Sequence, residues 1–193
     1  MSSKRTGPRW DTLFETSVEQ EGHFTTAQAA AAGFSPQLLT KHLKAGRIRR
    51  VRRGIYRMVH YPAGDNEDLV VCWLWSNREG LFSHETALAL HDLSDALPAV
   101  IHMTLPMSWA SRRLRVPDGT VLHHADIPGE DRTWLASVPL TTPARTLLDC
   151  AAESAPPDLV RQAYDEGRHR GLFARDEVWA VREYIEPYER GSR

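Results

Sequence analysis

The stretch that decides the fold runs from Phe24 to Met58 and reads FTTAQAAAAGFSPQLLTKHLKAGRIRRVRRGIYRM. It begins with a T-x-x-Q pattern, Thr25 to Gln28, in which the two side chains can cap each other's backbone amides at the start of a helix. Alanine, the strongest helix former, fills most of the next positions. Gly33 follows, and glycine is common just past the end of a helix. These residues predict a short helix followed by a tight turn.

A second helix is predicted directly after the turn. Ser35 is a suitable N-cap, Pro36 suits the first helical position, and Gly46 marks the end. The leucines of this segment recur at helical spacing and predict a buried side. On the other side, polar groups that can bond base edges and phosphates are contributed by Gln37, Thr40, Lys41 and Lys44. A solvated surface helix would show the same pattern, so the helix alone does not decide between these interpretations.

The segment after this helix is rich in arginine and contains no acidic residue. Strand-forming residues alternate with the arginines, and Gly54 can adopt the positive φ of a tight turn, so we predict a two-stranded hairpin. Like charges on so short a segment repel one another, and binding to a polyanion relieves the repulsion with release of counterions. A solvated basic turn is the alternative interpretation. The seven cations are Lys44, Arg47, Arg49, Arg50, Arg52, Arg53 and Arg57.

A helix, a turn, a second helix and a basic hairpin in this order are typical of a winged helix-turn-helix, which places its second helix in the major groove of DNA. We predict such a domain over residues 9–60. A preceding helix, Trp10 to Glu21, would pack beneath it through Leu13, Phe14 and Val18. The predicted contacts to double-stranded DNA are Ser35, Gln37, Thr40, Lys41, Lys44, Arg47, Arg49, Arg50, Arg52, Arg53 and Arg57.

The distribution of charge supports this interpretation more than its total does. The chain has 193 residues and a formal net charge of −1, which by itself favours no class of partner. Residues 1–60, however, carry 11 Lys and Arg against 4 Asp and Glu, while the remaining residues carry 13 against 21. A basic N-terminal part followed by an acidic remainder indicates nucleic-acid binding in the N-terminal part alone.

The sequence predicts a cytoplasmic protein. No apolar run approaches the ~18 residues of a membrane helix, and the N-terminal residues lack the apolar core of a signal peptide. The two cysteines, Cys72 and Cys150, each lie in an apolar run. We expect buried free thiols rather than a disulfide.

Residues Tyr61 to Asp65 form the predicted linker. Beyond it we predict a mixed α/β domain over residues 66–187 with a small antiparallel sheet, so the fold class of the whole chain is α+β. Candidate N-caps in this domain are Ser83 and Thr142. The predicted strands are 100–105, 112–116, 120–124 and 138–141, the second and third joined by Pro117-Asp118-Gly119; the predicted helices are 67–78, 84–93, 144–153, 158–168 and 174–185.

No catalytic motif is recognisable in the predicted second domain, and we expect no enzyme. The only lysines are Lys4, Lys41 and Lys44, so a metal nuclease of the acid…acid-x-lysine type would lack its lysine there. Neither a G-x-x-x-x-G-K-[ST] phosphate loop nor a G-x-S-x-G nucleophile elbow is present. Arg145 is predicted to form an ion pair with Asp149, one helical turn later.

The histidines lack the spacing of a helical metal site. His84 and His91 are seven residues apart instead of four, and His123 and His124 are neighbours on a predicted strand and so face opposite ways. We interpret these histidines as structural or hydrogen-bonding, with a metal site as the less favoured alternative. We therefore expect neither a metal nor a cofactor.

Three segments resemble the AbiEi-type antitoxins of type IV toxin–antitoxin systems. The N-terminal stretch resembles their winged-helix domain, and two later segments resemble their second domain: SHETALALHDL (Ser83 to Leu93) and VPLTTPARTLLDCAAE (Val138 to Glu153). The most specific parts are the Arg-Gly-Ile-Tyr sequence that begins at Arg53 and the Thr-Pro-x-Arg-Thr sequence that begins at Thr142.

The resemblance implies a DNA-binding antitoxin without catalytic residues. Such a protein would bind inverted repeats in its own promoter and repress its operon. It would also counter a nucleotidyltransferase toxin, in a class that often acts without a stable toxin–antitoxin complex. Two other functions remain open at this point: a ligand-responsive transcriptional regulator without a toxin, and a nuclease-related protein targeted by its winged helix.

Overall fold

The computed structural model describes residues 7–95 and 97–189. Its internal contacts divide the chain into two compact units, residues 1–78 and 79–193. Both units combine helices with a β-sheet. The predicted α+β class, a winged helix-turn-helix followed by a mixed α/β domain, is confirmed.

The first unit is a winged helix-turn-helix with one further helix. Its strands form an antiparallel sheet of order β1-β3-β2, in which β2 and β3 are the predicted basic hairpin. The elements are α1 (Trp10–Val18), β1 (His23–Thr25), α2 (Thr26–Ala31), α3 (Pro36–Lys44), β2 (Ile48–Arg52), β3 (Ile55–Met58) and α4 (Glu67–Trp75).

The helix-turn-helix begins and ends at its predicted capping residues. Thr25 Oγ1 accepts a hydrogen bond from the Gln28 amide at 3.2 Å, and Gln28 Oε1 accepts one from the Thr25 amide at 2.8 Å, so the capping box is complete. At the start of α3, Ser35 Oγ accepts a hydrogen bond from the Leu38 amide at 3.2 Å. Gly33, between the helices, has a φ of +86°, a left-handed conformation that glycine adopts without steric cost.

Helix α1 turns a different side to the core from the one predicted. Leu13 is buried, as expected, but the side chains of Phe14 and Val18 are 52% and 43% exposed. Ser17, four residues after Leu13, takes the second buried position. It can do so because its hydroxyl donates a hydrogen bond to the Leu13 carbonyl at 2.6 Å and needs no water. The prediction that Phe14 and Val18 face the core is wrong.

One apolar core joins α1, α2 and α3 to the sheet. Burying a large apolar side chain stabilises a fold by roughly 1.5–3 kcal/mol, so a core of this size can hold three short helices in place. Its buried members are Leu13, Phe24, Ala29, Ala32, Phe34, Leu39, Ile48 and Met58.

The other face of this sheet carries α4. His23 and Arg49 each lie directly opposite Arg57 across a strand pair, so the three side chains share one face. Arg57 donates hydrogen bonds to Glu67 Oε1 of α4 and, at 2.9 Å, to the Pro62 carbonyl. The Arg49 guanidinium lies 3.6 Å from the same Glu67 carboxylate. Two arginines of the hairpin thus hold α4 against the sheet.

The segment predicted as a linker, residues 61–65, connects β3 to α4 inside the first unit. It also supports the ion pair. Partial burial acts to raise the pKa of Glu67, but the hydrogen bonds from the Gly64 amide and from Arg57 outweigh it, and the pKa lies below its ordinary value of 4.5. Glu67 therefore contributes its full stabilisation above pH 4.5 and loses it as the pH falls through the lowered pKa.

The second unit is a sheet of order β6-β5-β4-β8-β7 with helices packed on one another and on the sheet. Its core includes Leu88, Leu147, Val160, Val181 and Ile185 from the four helices α5 to α8. The elements are β4 (Leu81–Phe82), α5 (His84–Leu90), β5 (Ile101–Leu105), β6 (Thr120–His124), β7 (Arg132–Leu135), β8 (Val138–Thr141), α6 (Pro143–Ala152), α7 (Pro157–His169) and α8 (Trp179–Glu189).

This sheet contains both kinds of strand pair. The pairs β4–β5 and β7–β8 are antiparallel, while β5–β6 and β4–β8 are parallel. Residues 112–116, predicted as a strand, form none and lie in the connection from β5 to β6. Parallel neighbours cannot be joined by a hairpin and need a longer crossover, which residues 106–119 supply. The strands expected near 100–105, 120–124 and 138–141 are present.

Cys72 and Cys150 are both buried and form no disulfide, as predicted. Burial raises the pKa of the Cys150 thiol, so this side chain stays protonated near neutral pH. Across the described residues, no helix combines the length and apolar character needed to cross a bilayer.

The contact between Arg57 and Glu67 generates a stability prediction. Replacing Arg57 by methionine should lower the free energy of unfolding by about 3 kcal/mol, because Glu67 would keep its charge in a partly buried place after losing its main partner. The exposed Arg49 and the Gly64 amide would be left beside it. The control is Arg53→Met, which changes an exposed arginine of the hairpin turn and should stay within about 0.5 kcal/mol of the wild type. Chemical denaturation followed by circular dichroism measures both. Equal stabilities of the two variants would contradict the structural role of Arg57.

Candidate nucleic-acid interface

The exposed face of α3 carries the four polar side chains predicted to meet DNA. Residues spaced by three and four positions lie on one side of a helix, and all four are exposed. The opposite side is buried through Leu39 and His42, which are 4% and 5% exposed. The four side chains are Gln37, Thr40, Lys41 and Lys44. They offer the amide, hydroxyl and ammonium groups that direct readout of a major groove requires.

His42 fixes the orientation of α3, and the leucine pattern did not reveal it. Its ring meets the Trp10 ring edge-on at a centroid distance of 4.7 Å and lies 6.0 Å from the Phe34 ring. Burial, followed by the charges of Arg47 and Lys41, lowers the pKa of His42, so its imidazole is neutral near pH 7. A neutral ring in this position adds to the core without adding to the basic surface.

Several predicted contact residues also have structural partners; Thr40 Oγ1, for example, donates a hydrogen bond to the Pro36 carbonyl at 2.9 Å. Ser35 is exposed but caps α3 through its hydroxyl oxygen. The Arg49 side chain is 53% exposed although it lies near Glu67. Arg57 is only 5% exposed and donates to Glu67 and to backbone carbonyls. Ser35 and Arg49 therefore lie at the surface, whereas Arg57 is buried and does not form part of it.

The other cations of this region have no acidic partner. Within residues 7–95 and 97–189, no carboxylate lies within 4.0 Å of Lys41, Lys44, Arg47, Arg50, Arg52 or Arg53. Arg50 Nε donates a hydrogen bond to the Arg52 carbonyl at 3.4 Å across a β-bulge, and Arg53 stands in the turn beside Gly54. Unneutralised charge on α3 and the hairpin is what a phosphate backbone would bind.

In the second unit, the predicted ion pair between Arg145 and Asp149 and the hydrogen-bonding role of His91 are confirmed. Arg145 Nε donates a hydrogen bond to Asp149 at 2.7 Å, and its Nη1 lies 3.4 Å from Asp131. His91 Nε2 lies 2.7 Å from the Thr141 carbonyl and can donate its proton to that oxygen, which is a structural hydrogen bond.

A cluster of polar residues in the second unit was not predicted. His123 Nδ1 lies 2.9 Å from Glu153 Oε1, and His84 Nε2 lies 3.5 Å from the same oxygen. His102 Nδ1 lies 3.0 Å from His123 Nε2. Ser83, predicted to cap α5, makes no capping bond and instead contacts His84 Nδ1 at 2.9 Å. These residues are far apart in sequence, so no spacing rule could have grouped them.

Comparisons with protein families agree with this architecture. Residues 11–59 match the model described as a transcriptional regulator, AbiEi antitoxin. Residues 80–161 match the AbiEi antitoxin C-terminal domain. The chain belongs to the AbiEi antitoxin family. It is therefore a transcriptional regulator and antitoxin of a toxin–antitoxin system, in a family that is regulatory rather than enzymatic. The α3 face and the basic hairpin lie within the first match, and the histidine cluster lies within the second.

A solved structure shares the fold. The crystal structure of the RV2827C protein from Mycobacterium tuberculosis matches with a TM-score of 0.53 and 16% sequence identity. The match covers 92% of this chain and 74% of that protein. At this level of identity the likeness concerns the fold alone. A search of the curated proteins found no match.

The division of the cations generates a binding prediction. Lys41→Ala should cost about 1–3 kcal/mol more on an operator duplex than on a scrambled duplex if Lys41 reads a base. The double change Arg50→Ala and Arg53→Ala should weaken both complexes alike and flatten the salt dependence by about two units, because phosphate contacts carry no sequence information. Fluorescence anisotropy at several salt concentrations measures both effects.

The control for this experiment is Arg78→Ala, an exposed cation of the first unit outside α3 and the hairpin. It should leave both affinities within about twofold. Equal losses of Lys41→Ala on the two duplexes would exclude Lys41 as a base-reading residue.

Proposed function

We propose that this AbiEi-family protein represses its own operon by binding inverted repeats in the promoter and that it counters a nucleotidyltransferase toxin in the cytoplasm. Neutralisation would not require a stable toxin–antitoxin complex. The contacts to double-stranded DNA would come from the exposed face of α3 and from the cations of the hairpin, with Arg57 serving the fold.

The observation that carries this proposal is the set of cations without acidic partners. Lys41 and Lys44 lie on the last turn of α3, where positive charge also complements the helix dipole. That structural role needs no DNA. The arginines of the hairpin have no such explanation, because three of them, Arg50, Arg52 and Arg53, follow one another around a bulge and a turn with nothing to neutralise them among the described residues. A polyanion removes this repulsion.

Binding to inverted repeats would place two copies of the chain on one operator. Their recognition helices would then enter major grooves about 34–36 Å apart, or a multiple of that distance. The repeats upstream of the gene should therefore have their centres separated by one helical turn or by whole turns.

Salt dependence gives the most direct test of DNA binding. If about five of the unpaired cations of one chain neutralise phosphates, the logarithm of its binding constant, plotted against the logarithm of the salt concentration, should have a slope of about −4 to −5. Titrations with the upstream region and with a scrambled duplex provide the slopes and the preference. Absence of binding in dilute buffer would contradict the proposal, and cleavage of the duplex with Mg²⁺ present would favour the nuclease alternative.

The antitoxin function is tested separately in cells. Co-expression of the chain with the neighbouring nucleotidyltransferase should restore growth. The Arg50→Ala, Arg53→Ala variant should restore it equally when both genes are driven from unrelated promoters, because these residues would serve DNA binding alone. Growth counts and toxin levels measure the outcome. Loss of neutralisation in a folded double variant would contradict the assignment of the two tasks to different surfaces.

A further inference from the structure

We propose that the second unit binds a divalent transition-metal ion of the zinc class through His84 Nε2, His123 Nδ1 and Glu153 Oε1. His84 is the first residue of α5, His123 lies in β6, and Glu153 directly follows the last residue of α6. A bound ion would link the sheet to two helices. This inference is independent of DNA binding, because it concerns a different unit and different side chains.

The spacing of the three ligand atoms fits one ion. Tetrahedral zinc with bonds of ~2.0–2.1 Å holds its ligand atoms ~3.3 Å apart. The two nitrogens lie 3.5 and 2.9 Å from Glu153 Oε1, and all three atoms lie within 4.8 Å of one another. Two imidazoles and one carboxylate are a ligand set that zinc uses when its fourth position stays open to water.

The outer nitrogens of both rings already have the partners that a metal-bound histidine needs. A ligating histidine donates its other ring proton to a neighbouring acceptor, which fixes the ring and its tautomer. Ser83 Oγ lies 2.9 Å from His84 Nδ1, and Thr104 Oγ1 donates to Ser83 Oγ at 2.8 Å. His102 Nδ1 lies 3.0 Å from His123 Nε2. These contacts leave the inner nitrogens to face Glu153.

The site combines buried nitrogens with an accessible oxygen. The His84 and His123 side chains are 8% and 9% exposed, whereas the Glu153 side chain is 53% exposed and gives an ion a route from solvent.

Two further features concern the conformation of the histidines. The His84 and His123 rings stack at a centroid distance of 3.6 Å and an angle of 15°. Because the lone pair of an imidazole lies in the plane of its ring, ion binding requires one of the two rings to tilt out of this stack, while the outer hydrogen bonds to Ser83 and His102 keep the tautomers. His84 also has a φ of +51°, an uncommon conformation for a residue other than glycine, of the kind that folds tolerate at functional sites.

Isothermal titration calorimetry of the chelator-treated full chain with zinc chloride tests the proposal. We expect one ion per chain. His123→Ala should lower the affinity more than 100-fold, and His102→Ala, which removes only the partner of a ligand, should lower it by about 10–100-fold. The matched control is His124→Ala, because His124 neighbours His123 on β6 but faces the opposite side of the sheet. It should bind as the wild type does.

Glu153→Gln keeps the shape of the glutamate without its charge, and it tests the zinc site if His123→Ala fails to fold. It too should lower the affinity more than tenfold. Cobalt(II) as a second probe should give the visible absorption of a tetrahedral site without a thiolate band in the near ultraviolet. Absence of zinc binding in the wild type, equal affinities of Glu153→Gln and the wild type, or a thiolate band would each overturn the proposal.

Discussion

The ion pair between Arg57 and Glu67 is the contact on which the arrangement of the first unit depends. Burying a guanidinium lowers the stability of a fold unless its charge is paired and its N–H groups find acceptors. Here its two terminal nitrogens donate to a carboxylate and two backbone carbonyls, while Nε has no hydrogen-bond partner among the described residues, and these bonds attach α4 to the strand at the centre of the sheet. One residue of a basic segment is thereby used for stability, and the strand that carries it becomes a rigid support for its neighbours.

This constraint divides a run of similar residues into two groups. The face of the sheet occupied by Arg57 also holds Arg49, which shares the same glutamate. Arg50, Arg52 and Arg53 have no acidic partner among the described residues; the first two flank the bulge and the third lies in the turn. Ser35 fixes the start of α3, and the burial of Leu39 and His42 keeps its polar side facing outward. In the proposed function, stability and DNA binding therefore use different members of one arginine-rich segment.

The sequence predicted most of what local chemistry determines, with the Ser83 cap and the buried side of α1 as exceptions, and failed where distant residues meet. Caps at Thr25, Ser35 and Thr142 were predicted because each depends on a residue three positions away. The burial of Arg57 was not, because its partner belongs to a helix assigned to another domain. Parallel pairing of β5 with β6 and the grouping of His84 with His123 likewise arise only from the register of the sheet and the packing of the helices. Alternation of polarity does not disclose either.

In the proposed function, Arg57 serves the fold while the arginines of the bulge and turn meet phosphate. Nuclear magnetic resonance of the arginine Nε–H groups during titration with an operator duplex tests this claim most directly. We expect the Arg50 and Arg53 signals to shift on binding and the Arg57 signal to stay where it is. A shift of the Arg57 signal to match its neighbours, or unchanged signals from Arg50 and Arg53 in a saturated complex, would contradict it.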